Sequence, residues 1–291
     1  MIRDISSPSR HSGAALIAAA ALLWSTAGIA STSLFAHVHP LTVGFWRVAL
    51  AVPALLILAR TLGRWRPLSR RAAVLLALIG LTQAGYQGFY FLGVSELGAG
   101  RATLVALCGA PVLISVIGAV VLKDRPGALE WAAVPIAVIG AALLIGAPAP
   151  GAEGSVLGYA AAGTAALSYA VFALTARELA GLYHPFQVTA IGFGVAALML
   201  LPFAIGNGLV PGEGWGTLAY LGLVPTALAY ALFFFGMRTV TATASGVLVL
   251  LEPAGAAILA ALLLGERYGA LGLAGGGLLL GAVLMVNLAK R

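Results

Sequence analysis

The chain has 291 residues, of which 61% are hydrophobic and only 9% charged, with a formal net charge of +7. A water-exposed domain of this length carries about 25% charged residues, so a soluble enzyme or soluble binding module is excluded. Nucleic-acid binding is excluded as well, because the basic residues fall between apolar runs instead of lining one polar face.

Ten apolar segments follow one another, each near the 20 or so residues that a bilayer core requires, at 15–35, 41–60, 72–93, 99–122, 128–146, 155–177, 185–206, 215–238, 241–264 and 271–289. They predict an all-α integral membrane fold. The first follows Arg3 and Arg10 but is too long for the apolar core of a signal peptide and carries Trp24, Ser25 and Thr26 near its middle. The second holds Arg47, which either snorkels outward or offers a buried cation to a carboxylate; both readings stay open. The third contains "TQAGYQGFYF" (82–91), where Gln83, Tyr86, Gln87 and Tyr90 recur at i, i+3, i+4 and i+7, a single helical stripe. An unpaired amide or hydroxyl costs about 4–8 kcal/mol on transfer to hydrocarbon. The stripe must therefore turn away from lipid, toward neighbouring helices or a substrate cavity. The fourth segment contains Pro111 and Cys108, the single cysteine, so no disulfide can form within the chain.

In the second half of the chain, Tyr169 lies in the sixth segment, and the eighth reads "PTALAYALFF" (225–234), with Thr226 and Tyr230. Glu252 and Pro253 stand near the middle of the ninth. An intramembrane carboxylate points to function; proton acceptance, ammonium binding, and a structural or gating role are all open to it. Pro111, Pro225 and Pro253 are expected bending points, since proline removes a helix hydrogen bond. Gly272/Gly276 and Gly277/Gly281 in the tenth segment give two small-residue faces, for packing against the helix's own half or for a homodimer seam in a protein otherwise expected to be monomeric.

With the N-terminus placed in the cytoplasm, Arg3, Arg10, Arg60, Arg64, Arg66, Arg70, Arg71, Lys123, Arg125, Arg177, Arg238, Lys290 and Arg291 all fall on that side, against Arg101 and Arg267 outside. The positive-inside rule then puts both termini in the cytoplasm. The pattern also repeats. "HPLTV" (39–43) returns as "HPFQV" (184–188), "FLGV" (91–94) as "FFGM" (234–237), and "APVLISVIGAVVLKDR" (110–125) as "EPAGAAILAALLLGER" (252–267). The halves are 1–147 and 154–291, joined by "APAPGAEG". An odd number of spans per half turns the second half upside-down, which is a transporter arrangement with its site near the midplane. Aligning the halves sets Trp24 opposite Tyr169, Gln83 opposite Thr226, Gln87 opposite Tyr230 and Tyr90 opposite Phe233.

"LLEPAGAAILAALLLGE" (250–266) and its weaker copy "LCGAPVLISVIGAVVLKD" (107–124) resemble the EamA repeat of the drug/metabolite transporter superfamily, over essentially the whole chain. The copy departs from the pattern with Asp for Glu and no acid before Pro111. Within the superfamily the chain looks most like bacterial exporters of aromatic and other neutral amino acids. The resemblance implies two inverted five-helix repeats surrounding a midplane cavity, with the fifth and tenth helices peripheral. It also implies alternating-access export across the bacterial inner membrane.

Metal-binding, nucleophile-elbow, Walker and dinucleotide motifs are absent, so an enzyme, a metal site and a cofactor are not expected. His39 and His184 precede matching prolines and read as capping or snorkelling residues; Asp124/Arg125 and Glu266/Arg267 read as loop-fixing pairs. The expected partners are the lipid bilayer and a small-molecule substrate. Trp24, Gln83, Tyr86, Gln87, Tyr90, Tyr169, Thr226 and Tyr230 are the candidate substrate contacts; Arg47, Glu252, Pro111 and Pro253 are candidates for coupling or gating. Amides that both donate and accept, with flat phenol rings, suit a zwitterion with an apolar side chain. Quaternary amines, fitted by Trp24, Tyr86, Tyr230 and Glu252, are the alternative; a membrane-embedded enzyme is a lesser one.

Overall fold

A computed structural model describes residues 10–35, 37–61, 65–97, 99–121, 123, 126–145, 155–264 and 269–288. The linker 147–154 and the pairs Asp124/Arg125 and Glu266/Arg267 lie outside the described residues. Every regular element described is helical: α1 (Arg10–Phe35), α2 (Pro40–Thr61), α3 (Arg70–Leu97), α4 (Ala99–Val121), α5 (Ala128–Ile145), α6 (Val156–Ala180), α7 (Pro185–Gly206), α8 (Trp215–Gly236), α9a (Ala242–Val249), α9b (Leu251–Leu264) and α10 (Ala270–Leu288). Among the described residues nine stretches are long and apolar enough to cross a membrane, and Val105–Val121 within α4 is a shorter apolar helix. Large aliphatic side chains such as Val120 (74% exposed), Leu198 (71%) and Leu262 (75%) point outward. Water would penalise that surface, and hydrocarbon does not.

The packing order exchanges the two halves of the chain. α1 packs on α8 and α9b, whereas α6 packs on α3 and α4; α2 and α7 pack on each other, as do α5 and α10. The α5–α10 contact runs through one glycine on each helix. A Cβ at Gly140 would lie 2.8 Å from the Gly275 carbonyl oxygen, and one at Gly275 would lie 2.6 Å from the Gly140 oxygen. This corrects the expected small-residue faces: Gly277 and Gly281 have nothing within 4 Å, and Gly276 only touches Leu144. The packing glycine is Gly275, one position before Gly276, and α10 packs mainly on α5 of the first half where its own half was expected, because Gly140 and Gly275 let these two backbones approach closely.

The two ends of the bundle are closed by side chains bonded to backbone, again in exchanged fashion. Near the start of α7, buried Gln187 donates to the Arg66 carbonyl (2.7 Å) and accepts from the Arg66 N–H (3.0 Å), in the segment after α2. Near the start of α2, Thr42 donates to the Gly208 carbonyl (3.3 Å) and Trp46 to the Leu209 carbonyl (2.8 Å), in the segment after α7. Thr42 and Gln187 are the equivalent residues of "HPLTV" and "HPFQV". At the Gln187 end, Arg238 donates to the Ala180 carbonyl (2.8 Å), Arg177 donates to the Met237 carbonyl (3.0 Å), and Arg71 pairs with Glu178. Buried Glu130 accepts from Thr241 (3.1 Å), whose hydroxyl oxygen also caps α9a by accepting from the Ala244 N–H (3.0 Å). His39 caps α2 through Nδ1, accepting from Leu41 (3.3 Å), while His184 packs against Phe186 and Phe235.

The Gln187 clamp is testable. Two hydrogen bonds contribute roughly 1–3 kcal/mol together. Gln187→Leu is expected to raise hydrogen–deuterium exchange across residues 65–72 on the order of tenfold. Unchanged exchange there would show that the clamp does not hold this end closed.

Candidate functional site

The site is built where α8 and α9 depart from regular helix. Residues Leu223–Leu228 of α8 form a π-helical stretch. Pro225 has no N–H to offer the Leu221 carbonyl four residues back, and the Thr226 hydroxyl takes that acceptor instead, at 2.6 Å. π-Bulges of this kind are frequent at functional sites. In α9 the helix breaks at Leu250, because Pro253 likewise leaves the Val249 carbonyl without its donor; α9b restarts at Leu251 and carries Glu252 in its first turn. Pro111, the third expected bending point, does not interrupt α4. It is buried, and α9a packs tightly on it: a Cβ at Gly246 would lie 3.2 Å from the Pro111 Cα. The Pro111 carbonyl accepts from Ser115 at 2.7 Å.

Tyr230, one helical turn past Thr226, is the hub of an aromatic cluster. Its ring centroid lies 4.7 Å from Trp24 of α1, 4.7 Å from Phe193 of α7 and 5.7 Å from Phe172 of α6. Its hydroxyl accepts from the Gln83 amide nitrogen of α3 at 3.1 Å. Tyr86 stacks on Tyr90 (5.8 Å) and meets Tyr169 of α6 at 5.6 Å. Trp24 lies 14 residues into α1 and Gln83 13 residues into α3, each about 20 Å along its helix at 1.5 Å per residue, so the cluster falls near mid-depth.

Three polar atoms in this cluster are buried without a hydrogen-bond partner among the described residues: Trp24 Nε1, Gln83 Oε1 and the Tyr169 hydroxyl. Such groups cost about 1–3 kcal/mol each and are rare in a settled core. All three belong to this one cluster.

Two charges face the same region. Arg47 of α2 turns toward α8, with Nε 3.5 Å from the Thr226 oxygen. One turn earlier, Gly44 lies against the Gln87 amide oxygen, 3.7 Å from where a Cβ would project. Glu252 is within electrostatic reach of Tyr86, Tyr90, Tyr169, Tyr230 and Arg47. No described residue hydrogen-bonds its carboxylate, and Arg47 and Glu252 form no ion pair within 4.0 Å.

Thus Trp24, Gln83, Tyr86, Tyr169, Thr226 and Tyr230 come together, with Arg47 and Glu252 beside them. Gln87 is buried against α2, and the Tyr90 hydroxyl is engaged by Thr103 of α4 at 2.7 Å, which places Tyr90 at the rim. Sequence reasoning missed Phe172 and Phe193. Phe172 is three residues past Tyr169 on one helical face, the same step that separates Gln83 from Tyr86 and Gln87 from Tyr90. Phe193 carries no polar signal, and only tertiary packing brings it to Tyr230.

A bundle whose halves exchange contacts, with polar and charged groups gathered at mid-depth beside interrupted helices, defines a multi-pass membrane transport protein. The pattern of the EamA-like transporter family matches residues 11–146 and again 156–288. The chain belongs to this family. It is similar to the uncharacterized transporter YwfM of Bacillus subtilis, 30% identical over 94% of this chain and 92% of the relative. It is also similar to the probable terminal-alkyne amino-acid exporter of Streptantibioticus cattleyicolor, 28% identical over 83% of this chain and 82% of that one. A crystal structure that is 24% identical overlays with a TM-score of 0.82, covering 96% of this chain and 99% of the other, which shows the fold. These two relatives are named a transporter and an exporter.

Proposed function

We propose that the protein is a secondary transporter that exports small neutral metabolites, amino acids with aromatic or apolar side chains among them. It lies in the bacterial inner membrane with both termini cytoplasmic, and works by alternating access as the halves 1–147 and 154–291 rock about the Trp24–Tyr230 cluster. The observation that carries this reading is the set of unpartnered atoms in that cluster. Trp24 Nε1 donates, Gln83 Oε1 accepts and the Tyr169 hydroxyl does either. A ligand presenting both an acceptor and a donor beside an apolar body completes all of them, and the rings supply flat contact area. A phosphorylated substrate would call for several clustered cations, whereas Arg47 is the cation that the described residues bring to Thr226 beside this cluster. The named activity of the Streptantibioticus relative supports the amino-acid reading.

The test is a competition panel in proteoliposomes, run with and without an imposed pH gradient. Neutral amino acids are expected to compete, and Tyr86→Ala is expected to lower transport about tenfold, as loss of ~1.4 kcal/mol of stacking would do, with folded yield unchanged. A panel in which no neutral amino acid competes would overturn the reading. A gradient effect that disappears in Glu252→Gln assigns proton coupling to that residue; absence of any gradient effect makes the transport facilitated diffusion.

A further inference from the structure

Arg47 and Glu252 are ionisable side chains of opposite sign within the membrane spans; Arg47 Nε meets the Thr226 oxygen at 3.5 Å, and no described residue hydrogen-bonds the Glu252 carboxylate. Arg47 meets Thr226, one turn before Tyr230, and Gly255, one turn past Glu252, packs on Ser25 beside Trp24, where a Cβ would lie 2.6 Å from the Ser25 oxygen; yet the two form no ion pair within 4.0 Å. In a medium of low dielectric constant, opposite charges attract strongly, and each is costly when left unmatched.

The repeat sharpens their meaning. The "HP" alignment places Gly192 of α7 opposite Arg47, and the "APVLIS"/"EPAGAA" alignment places Ala110 of α4 opposite Glu252. Each half therefore contributes one charge: the first half a cation on α2, the second half an anion on α9b. The equivalent positions on the other half are small and neutral, so the site has a single polarity. We infer, resting on the transport reading above, that Arg47 and Glu252 read the two ends of a zwitterionic α-amino acid: the guanidinium takes the α-carboxylate, the Glu252 carboxylate takes the α-ammonium, and the rings of Trp24, Tyr86 and Tyr230 take the side chain.

The unpartnered atoms have the right polarity for this arrangement. The buried Trp24 N–H adds a donor for the carboxylate, and the buried Gln83 Oε1 adds an acceptor for the ammonium. Thr226 has spent its proton on the Leu221 carbonyl, so it presents an oxygen to Arg47 Nε and holds the guanidinium by that edge. A bound zwitterion bridges a residue of the first half to a residue of the second. A simple amine satisfies Glu252 but leaves Arg47 unmatched, and a simple acid does the reverse. Substrate selection is therefore a consequence of unmatched charge, and it extends to amino acids of varied side chain.

The experiment uses the full chain in proteoliposomes and three probes with the same ring: L-phenylalanine, phenethylamine, which lacks the carboxylate, and 3-phenylpropionate, which lacks the ammonium. With the native protein, phenylalanine is expected to compete at least ~10-fold better than either analogue, the factor that follows from loss of one charge-assisted hydrogen bond. Arg47→Gln is expected to erase the gap between phenylalanine and phenethylamine while leaving 3-phenylpropionate excluded. Glu252→Gln is expected to erase the gap to 3-phenylpropionate while leaving phenethylamine excluded. Elution profile and thermal unfolding check the fold of each variant. Should a neutral variant fail to fold, Arg47→Lys and Glu252→Asp, which keep the charge, are expected to preserve the native ranking.

Equal competition by phenylalanine and phenethylamine in the native protein overturns the inference and favours a cation-binding aromatic cage. Folded Arg47→Gln and Glu252→Gln variants that keep the full native ranking overturn it as well, as do Arg47→Lys and Glu252→Asp variants that lose it. In both cases the protein still transports. Failure of all three probes, together with every other neutral metabolite in the panel, overturns the transport reading instead.

Discussion

Replacing Gly275 by leucine is expected to collapse the folded yield of the protein, and Gly140→Leu to do the same. A Cβ at Gly275 would lie 2.6 Å from the Gly140 oxygen, 2.7 Å from the Leu143 Cβ and 2.7 Å from the Leu144 nitrogen; one at Gly140 would lie 2.7 Å from the Leu279 nitrogen. Most of these obstacles are backbone atoms, which cannot swing aside as a side-chain tip does. In lipid there is no hydrophobic force to press α5 and α10 together again, so their association depends on the close approach that small residues permit. Forcing the helices apart costs about 3 kcal/mol, the upper part of the overpacking range. Thermal unfolding and size-exclusion yield in detergent measure it. Gly277→Leu and Gly281→Leu are the controls: their Cβ positions have nothing within 4 Å, and both variants are expected to fold as the native chain does. If the Gly277 and Gly281 variants lose yield and Gly275→Leu does not, the seam of α10 has been placed on the wrong face.

Helix positions were legible in the sequence because bilayer thickness fixes span length: the segment 185–206 and the observed Pro185–Gly206 coincide. The same physics exposed the Gln83–Tyr90 stripe, since polar groups amid an apolar run must find a partner. What the sequence left open depended on tertiary choice. Proline marks a lost hydrogen bond but not whether the helix yields. At Pro225 and near Pro253 the ladder rearranges, whereas at Pro111 the close packing of Gly246 keeps α4 continuous. The turn of Arg47 toward α8 was undecidable until Thr226 was found beside it. Gln187 went unread although it stands in a repeated motif, because its role as a clamp depends on where the segment around Arg66 folds back. Glu130 was passed over for a similar reason: near a helix start a carboxylate reads as solvated, and only the contact with Thr241 makes it a buried one.

The second large effect is expected at Tyr230. Tyr230→Ala removes a ring that touches Trp24 at 4.7 Å, Phe193 at 4.7 Å and Phe172 at 5.7 Å, and it deprives the Gln83 amide of its hydrogen-bond acceptor. Truncating a buried aromatic costs about 3–5 kcal/mol. Here the loss falls on the one residue that joins α1, α3, α6 and α7 at mid-depth, so transport is expected to fall more than ~100-fold, the factor that 3 kcal/mol produces. Tyr230→Phe separates shape from polarity. It keeps all three ring contacts and removes only the hydroxyl, leaving Gln83 with both amide atoms unmatched, at a cost of about 1–3 kcal/mol. That variant is expected to fold, to retain a measurable rate, and to lose affinity for polar ligands more than maximal rate. Initial rates in proteoliposomes over a range of substrate concentrations separate the two effects. If Tyr230→Ala transports with native kinetics while folding normally, the cluster is only packing, and the path for substrate runs elsewhere. If Tyr230→Phe is as damaged as Tyr230→Ala, the hydroxyl is the functional group, and the Gln83–Tyr230 bond is what orders the wall of the site.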